Sequence, residues 1–199
     1  MNRKVGLVIL AGFAIVAITL SWVSLSSNND FNNMNGMDHS SMGHGSVDGK
    51  LSGQDAMFLQ MMIPHHQQAV VISDYALTNS TNVEVLKLAN QIKAAQQPEI
   101  TQMEKWLTEA GLKTDPGHSM DGMGGMLTQD QLSVMGKSKG AAFDKLFLSG
   151  MIDHHKGAVA MVSMISNSKN SQIREFGNQI RISQSAEIEL MESMLTNIK

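Results

Sequence analysis

Apolar and polar positions divide the chain into three stretches of different character. Val5 to Leu25 runs for 21 residues without a charge, behind Arg3 and Lys4. That length suits a membrane-spanning helix, and the positive-inside rule places everything after it outside the cytoplasm. From Ser26 to Gly53 the chain is rich in Asn, Ser, Gly and Asp and has no apolar periodicity, the composition of a flexible tether. Beyond it, Phe58, Met62, His65, Ala69, Ile72 and Ala76 step by four and three, the period of a helix with one stripe facing a bundle.

That stripe occurs twice. FLQMMIPHHQQAV (Phe58–Val70) aligns with FLSGMIDHHKGAV (Phe147–Val159), and Phe147, Met151, His154, Ala158, Met161 and Ile165 repeat its spacing. Further on, Gln96, Glu99, Ile100 and Met103 match Gln184, Glu187, Ile188 and Met191. Each copy reads as a helix, a turn near Asn79–Asn82 or Asn167–Asn170, and a returning helix. The returning stripes are Val85, Leu88, Ile92, Gln96, Glu99, Met103, Trp106 and Ile173, Phe176, Ile180, Gln184, Glu187, Met191, Met194. Two helical hairpins with four apolar stripes predict an all-α fold: an antiparallel four-helix bundle behind an N-terminal hydrophobic helix. The predicted parts are a signal peptide or membrane anchor at 1–26, a Met/His-rich linker at 27–52 and the bundle at 53–199. Within the bundle, repeat one covers 54–111, a Met/His-rich connection 112–128, and repeat two 129–199. Pro98 is expected to kink the second helix beside Glu99 unless the freed carbonyl finds a partner.

The stripes carry polar groups inward. His65 lies about as far before its turn as Gln96 and Glu99 lie after it, so an antiparallel pair brings them to one level. The same count sets His154 opposite Gln184 and Glu187. Burying such groups costs several kcal/mol, about 2–7 by the usual transfer scales, unless they are hydrogen-bonded or metal-bound. Each hairpin thus offers a thioether, two imidazoles and a carboxylate: Met62, His65, His66 and Glu99 in one, Met151, His154, His155 and Glu187 in the other. Met103 and Met191 share those seams as further candidate ligands. Glu99 and Glu187 fit better as groups that orient an imidazole than as ligands of a soft ion.

Composition adds the chemistry. Methionine is abundant, with 17 residues, and seven histidines accompany it. Met34, Met37, His39, Met42 and His44 recur every two or three residues in the linker, and His118, Met120, Met123 and Met126 form a second cluster in a Gly-rich stretch. Thioethers are soft, uncharged ligands suited to Cu(I) and Ag(I), and imidazole binds both copper oxidation states. The absence of cysteine excludes disulfides, iron–sulfur clusters, thiol nucleophiles and the electron-transfer copper of multicopper oxidases. No Glu-x-x-His occurs, which argues against a di-iron enzyme. A net charge of −3 with 5% aromatics offers no surface for nucleic acid.

The residues MIPHHQQAV and MIDHHKGAVAM, each followed by EI-x-x-M near the end of its repeat, resemble the family called domain of unknown function 305. The resemblance covers about residues 54–198. It implies a ferritin-like four-helix bundle, export from the cytoplasm, and binding of Cu(I) and Ag(I) in copper resistance. The family motif falls on Met62, His65, His66, Met151, His154 and His155. Gly150 stands where the first repeat has Met61, so the halves are not equivalent. The reading is an exported, non-enzymatic copper-binding protein on the periplasmic or extracytoplasmic face, held at the membrane by residues 5–25 if these are not cleaved. It sequesters Cu(I) or hands it to an unidentified efflux pump or carrier. The competing readings are a membrane-anchored interaction bundle and a copper-dependent redox protein.

Overall fold

The computed structural model describes residues 51–115, 117 and 123–198. The predicted N-terminal helix and most of the linker lie outside them, as do Met34, Met37, His39, Met42, His44, His118 and Met120. Among the described residues the regular structure is helical: α1 (Gly53–Asn79), α2 (Val83–Glu109), α3 (Gln129–Lys137), α4 (Gly140–Met161) with a 3-10 turn at Val162–Ile165, and α5 (Ser171–Asn197). No described helix is long and apolar enough to cross a membrane.

Local chemistry sets the ends. Ser52 and Asp55 form a capping box at the start of α1, and Asn82 and Asn170 cap α2 and α5. The two turns repeat each other in detail. Ser80 Oγ accepts from the Asn82 N–H at 3.0 Å and Ser168 Oγ from that of Asn170 at 3.1 Å. Helix α2 continues unbroken through Pro98. Pro98 and Ala94, whose carbonyl loses its partner, are both exposed, which leaves the freed oxygen open to solvent. Helix α1 likewise continues through Pro64.

Helix α1 packs on α2, α4 on α5, and α1 on α4, which joins the two hairpins. Every residue of the two leading stripes, Phe58 to Ala76 and Phe147 to Ile165, is buried. The apolar interior forms two clusters. One holds Ala69, Ile72 and Ala76 of α1, Val85 to Ile92 of α2, Phe147 and Met151 of α4 and Met191 of α5. The other holds Phe58 and Met62 of α1, Ile100 and Met103 of α2, Ala158 and Met161 of α4 and Ile173 and Ile180 of α5. The clusters take opposite ends of α1 and α4, as antiparallel packing requires. The break in each helix falls where the histidines or the Gln and Glu residues stand.

Two features depart from the sequence pattern. Helix α3 is an addition to the second repeat, started by a Thr128–Gln131 capping box and buried through Leu132 and Met135. Regular α-helix in α4 ends at Met161, and the 3-10 turn carries Ile165 over Gly177, where a Cβ would stand 2.5 Å from Ile165 Cδ1. Phe147 is fully buried and stacks on Phe143, with ring centroids 5.9 Å apart. Phe147→Ala is expected to cost about 3–5 kcal/mol in urea unfolding; a cost below about 1 kcal/mol contradicts this core.

Candidate metal centre

The stripe positions bring His65 of α1 and His154 of α4 together at the break between the clusters. Their ring centroids are 3.7 Å apart with planes tilted by 37°. His66 and His155 follow on the same helices, and all four histidines are 0% exposed. The outer two are each tied to the returning helix of their own hairpin. His66 Nε2 meets Glu99 Oε2 at 2.9 Å, and His155 Nε2 meets Glu187 Oε2 at 2.7 Å. The two glutamates therefore orient His66 and His155, not the central pair, and both carboxylates keep an exposed edge of about a fifth.

The central pair is different. Neither Nδ1 nor Nε2 of His65 or His154 makes a hydrogen bond, and the same holds for Nδ1 of His66 and His155. Gln96 also has both side-chain polar atoms buried without a partner, and Gln184 its Oε1. A neutral imidazole has one donor and one acceptor to satisfy. Leaving such groups orphaned in the interior costs about 1–3 kcal/mol each. Burial, reinforced by neighbouring His66, pushes the His65 pKa down from 6.5 to about 3. Burial, then His65 and His155, lowers His154 well below its ordinary value. At neutral pH the pair therefore presents two uncharged rings with free lone pairs, the form in which imidazole ligates metal.

Among the described residues no group of three or more His, Asp or Glu side chains converges on one point. A hard cation thus finds no cage of oxygens here. The donors that flank the pair are thioethers. Met62 and Met151 each sit one helical turn before their histidine, and Met103 and Met191 share their clusters; all four are fully buried. Two unpartnered imidazoles bracketed by thioethers fit a soft monovalent ion and suit Mg²⁺ or Ca²⁺ poorly.

The connection between the repeats contributes its last residues. Met123 packs against the second cluster and Leu127 belongs to the first. Met126 lines a groove with Asp130, Met135 and Asp153. These two methionines are thus part of the packed body, although the Gly-rich sequence around them predicts a capture cluster without a core. Gln68 and Gly157 also touch this connection, and sequence reasoning passed over both. The signal was there: they are equivalent positions of the repeat occupied by unlike residues.

A helical body, among the described residues, whose interior is crossed by a level of buried histidines between buried methionines is the class these features define. The chain belongs to the family of the domain of unknown function DUF305, whose model matches residues 55–195. It is similar to a DUF305 protein from Streptomyces coelicolor described as secreted, at 29% identity over 72% of this chain and 91% of that one, with a TM-score of 0.69. A DUF305 fragment from Deinococcus radiodurans is also 29% identical, over 74% of this chain and 99% of its own, with a TM-score of 0.70. CopM in its Cu(I)-bound form is 32% identical over 72% of this chain and 96% of its own, with a TM-score of 0.62. CopM is also known in Cu(II)-bound and Ag-bound forms. No curated protein sequence matches the chain.

Proposed function

We propose that the chain is an exported copper-binding protein that sequesters or transfers Cu(I), and accepts Ag(I), in copper homeostasis or resistance. The ions are cargo, and the role requires no catalysis. The observation that carries this reading is the His65–His154 pair, two buried rings in contact across two helices whose four nitrogens find no hydrogen-bond partner. In a ferritin-like four-helix bundle with no metal function, such a pair is a cost without a return. A soft ion held by the pair and by Met62, Met103, Met151 and Met191 removes that cost. The binding of copper and silver by CopM, and the description of the Streptomyces relative as secreted, support the same reading. His66 and His155, their Nε2 atoms held by Glu99 and Glu187, offer a free Nδ1 each as a further ligand in its own hairpin. The clusters Met34, Met37, His39, Met42, His44 and His118, Met120 capture ions for the bundle to hold. Thioethers need no deprotonation, so these clusters keep working where acid weakens histidine. Residues 5–25 tether the chain to the membrane if they are retained.

Anaerobic titration of the full chain with Cu(I) against a chromophoric chelator tests the proposal. Several tightly held ions are expected. A variant lacking residues 30–48 is expected to hold fewer ions and fill more slowly, while keeping those in the bundle. Unchanged rate and stoichiometry would contradict the division between capture and storage. Failure to compete with the chelator at all would remove the copper reading and favour the interaction bundle.

A further inference from the structure

Gln68 and Gly157 are equivalent positions of the two repeats, each three residues beyond an inward histidine. Two symmetric hairpins have no use for Gln in one place and Gly in the other. The connection between the repeats explains the difference. Gln68 Nε2 donates to the Leu127 carbonyl at 2.9 Å, and Gln68 Oε1 accepts from the Leu127 N–H at 2.8 Å. One side chain thus satisfies both backbone groups of a single loop residue. Across the groove, Gly157 lies so close to the Gly124 backbone that a Cβ would collide with the Gly124 carbonyl oxygen. A Cβ on Gly125 would come within 2.5 Å of the Asp153 carbonyl and 2.9 Å of that of His154, and Gly125 itself sits at φ +86°. Met123 to Leu127, turned by a bond from the Met126 N–H to the Met123 carbonyl at 3.0 Å, therefore spans α1 and α4 at one level. That level is immediately beside the histidines, since the segment rests on the Asp153 and His154 carbonyls and on Gly157 of α4 and is bonded to Gln68 of α1.

The histidines are fully buried, and neither of the surface grooves beside α4 is lined by any of them. An ion reaching the pair must displace something. Helices α1 and α4 keep regular helical structure past the histidines, α1 lacking only the N–H of Pro64, whereas the segment over them is irregular and latched by one glutamine. We infer that Met123–Leu127 is the port through which a soft monovalent metal ion reaches the His65–His154 pair, with Gln68 as its latch and Gly157 as its seat. This inference rests on the copper reading. Gln68 is a positioning residue: it fixes the segment that carries Met123 and Met126, so an ion entering there meets their thioethers on the way in.

The test uses the full chain and Ag(I) ions, which avoid redox change. Metal-free protein is mixed rapidly with Ag(I), quenched with a competing thiol at set times, and the retained silver counted by mass spectrometry. The same course run on the variant with His65→Leu and His154→Leu isolates the silver that belongs to the pair. Gln68→Ala is expected to fill the pair on the order of tenfold faster, since each of its two hydrogen bonds is worth a factor of a few in opening. Final stoichiometry and urea midpoint should stay close to those of the parent. Gly157→Ala pushes the segment from its seat and should act in the same direction; if it does not fold, Gln68→Ala still decides. Faster hydrogen exchange at the Leu127 amide with an unchanged filling rate overturns the port and leaves Gln68 a loop tie. A parent chain that retains no silver at any time removes the copper reading itself, a distinct result.

Discussion

Replacing His65 and His154 together by leucine is expected to stabilise the metal-free protein while abolishing ion binding at the pair. Each fully buried imidazole carries two unpartnered nitrogens. An orphaned buried polar group costs about 1–3 kcal/mol, and an apolar side chain of similar volume removes that cost. With an allowance for imperfect packing, the net gain in urea unfolding is expected to be about 2 kcal/mol. The same variant should lose the tightest Cu(I) sites in chelator competition. Opposite signs for stability and binding are the mark of a site kept at the expense of the fold. A loss of stability with unchanged copper content would make the pair a structural layer and place the ions in the Met-rich clusters.

Acid is expected to destabilise the metal-free chain steeply. His65 is held to about 3 in the folded protein against 6.5 when unfolded, and His154 is lowered in the same direction. Between those values the unfolded chain binds the proton and the folded chain does not. Stability therefore is full above pH 6.5 and falls as pH drops towards 3. For His65 the slope is about 1.4 kcal/mol per pH unit, and His154, lowered well below its ordinary value, adds in the same direction. Urea midpoints measured from pH 7.5 to 4 check this. Saturating Ag(I) should flatten the curve, because the bound ion takes the lone pairs that protons would occupy. A flat profile without metal would mean that the pair is hydrated or hydrogen-bonded in solution. The leucine double variant should also be flat, which ties the effect to these two residues.

Most of this site was legible in the sequence because the repeat exposes it. The four-and-three spacing through Phe58, Met62 and His65, and again through Phe147, Met151 and His154, points the same residues inward twice. Counting from the turns brings Glu99 and Glu187 to the histidine level. What counting does not resolve is which imidazole each carboxylate meets. His65 and His66 differ by about 100° around the helix, and both prove to be buried, the first towards α4 and the second towards α2. The contact of His65 with His154 is tertiary: it depends on α1 packing against α4, which no spacing within one hairpin encodes. Helix α3 lay hidden for another reason. Nine residues hold too few apolar positions to show a period, and only the Thr128–Gln131 capping box marks its start. The fold of Met123–Leu127 was illegible because its order comes from Gln68 and Gly157 on other elements, not from its own Gly-rich sequence.

The most direct test of the central claim is a crystal of the Ag(I)-loaded chain measured for the anomalous scattering of silver. A peak is expected at the His65–His154 pair, with thioether sulfur from the flanking methionines among its ligands. Silver confined to surface methionines, with the two rings still in contact and unliganded, would contradict it.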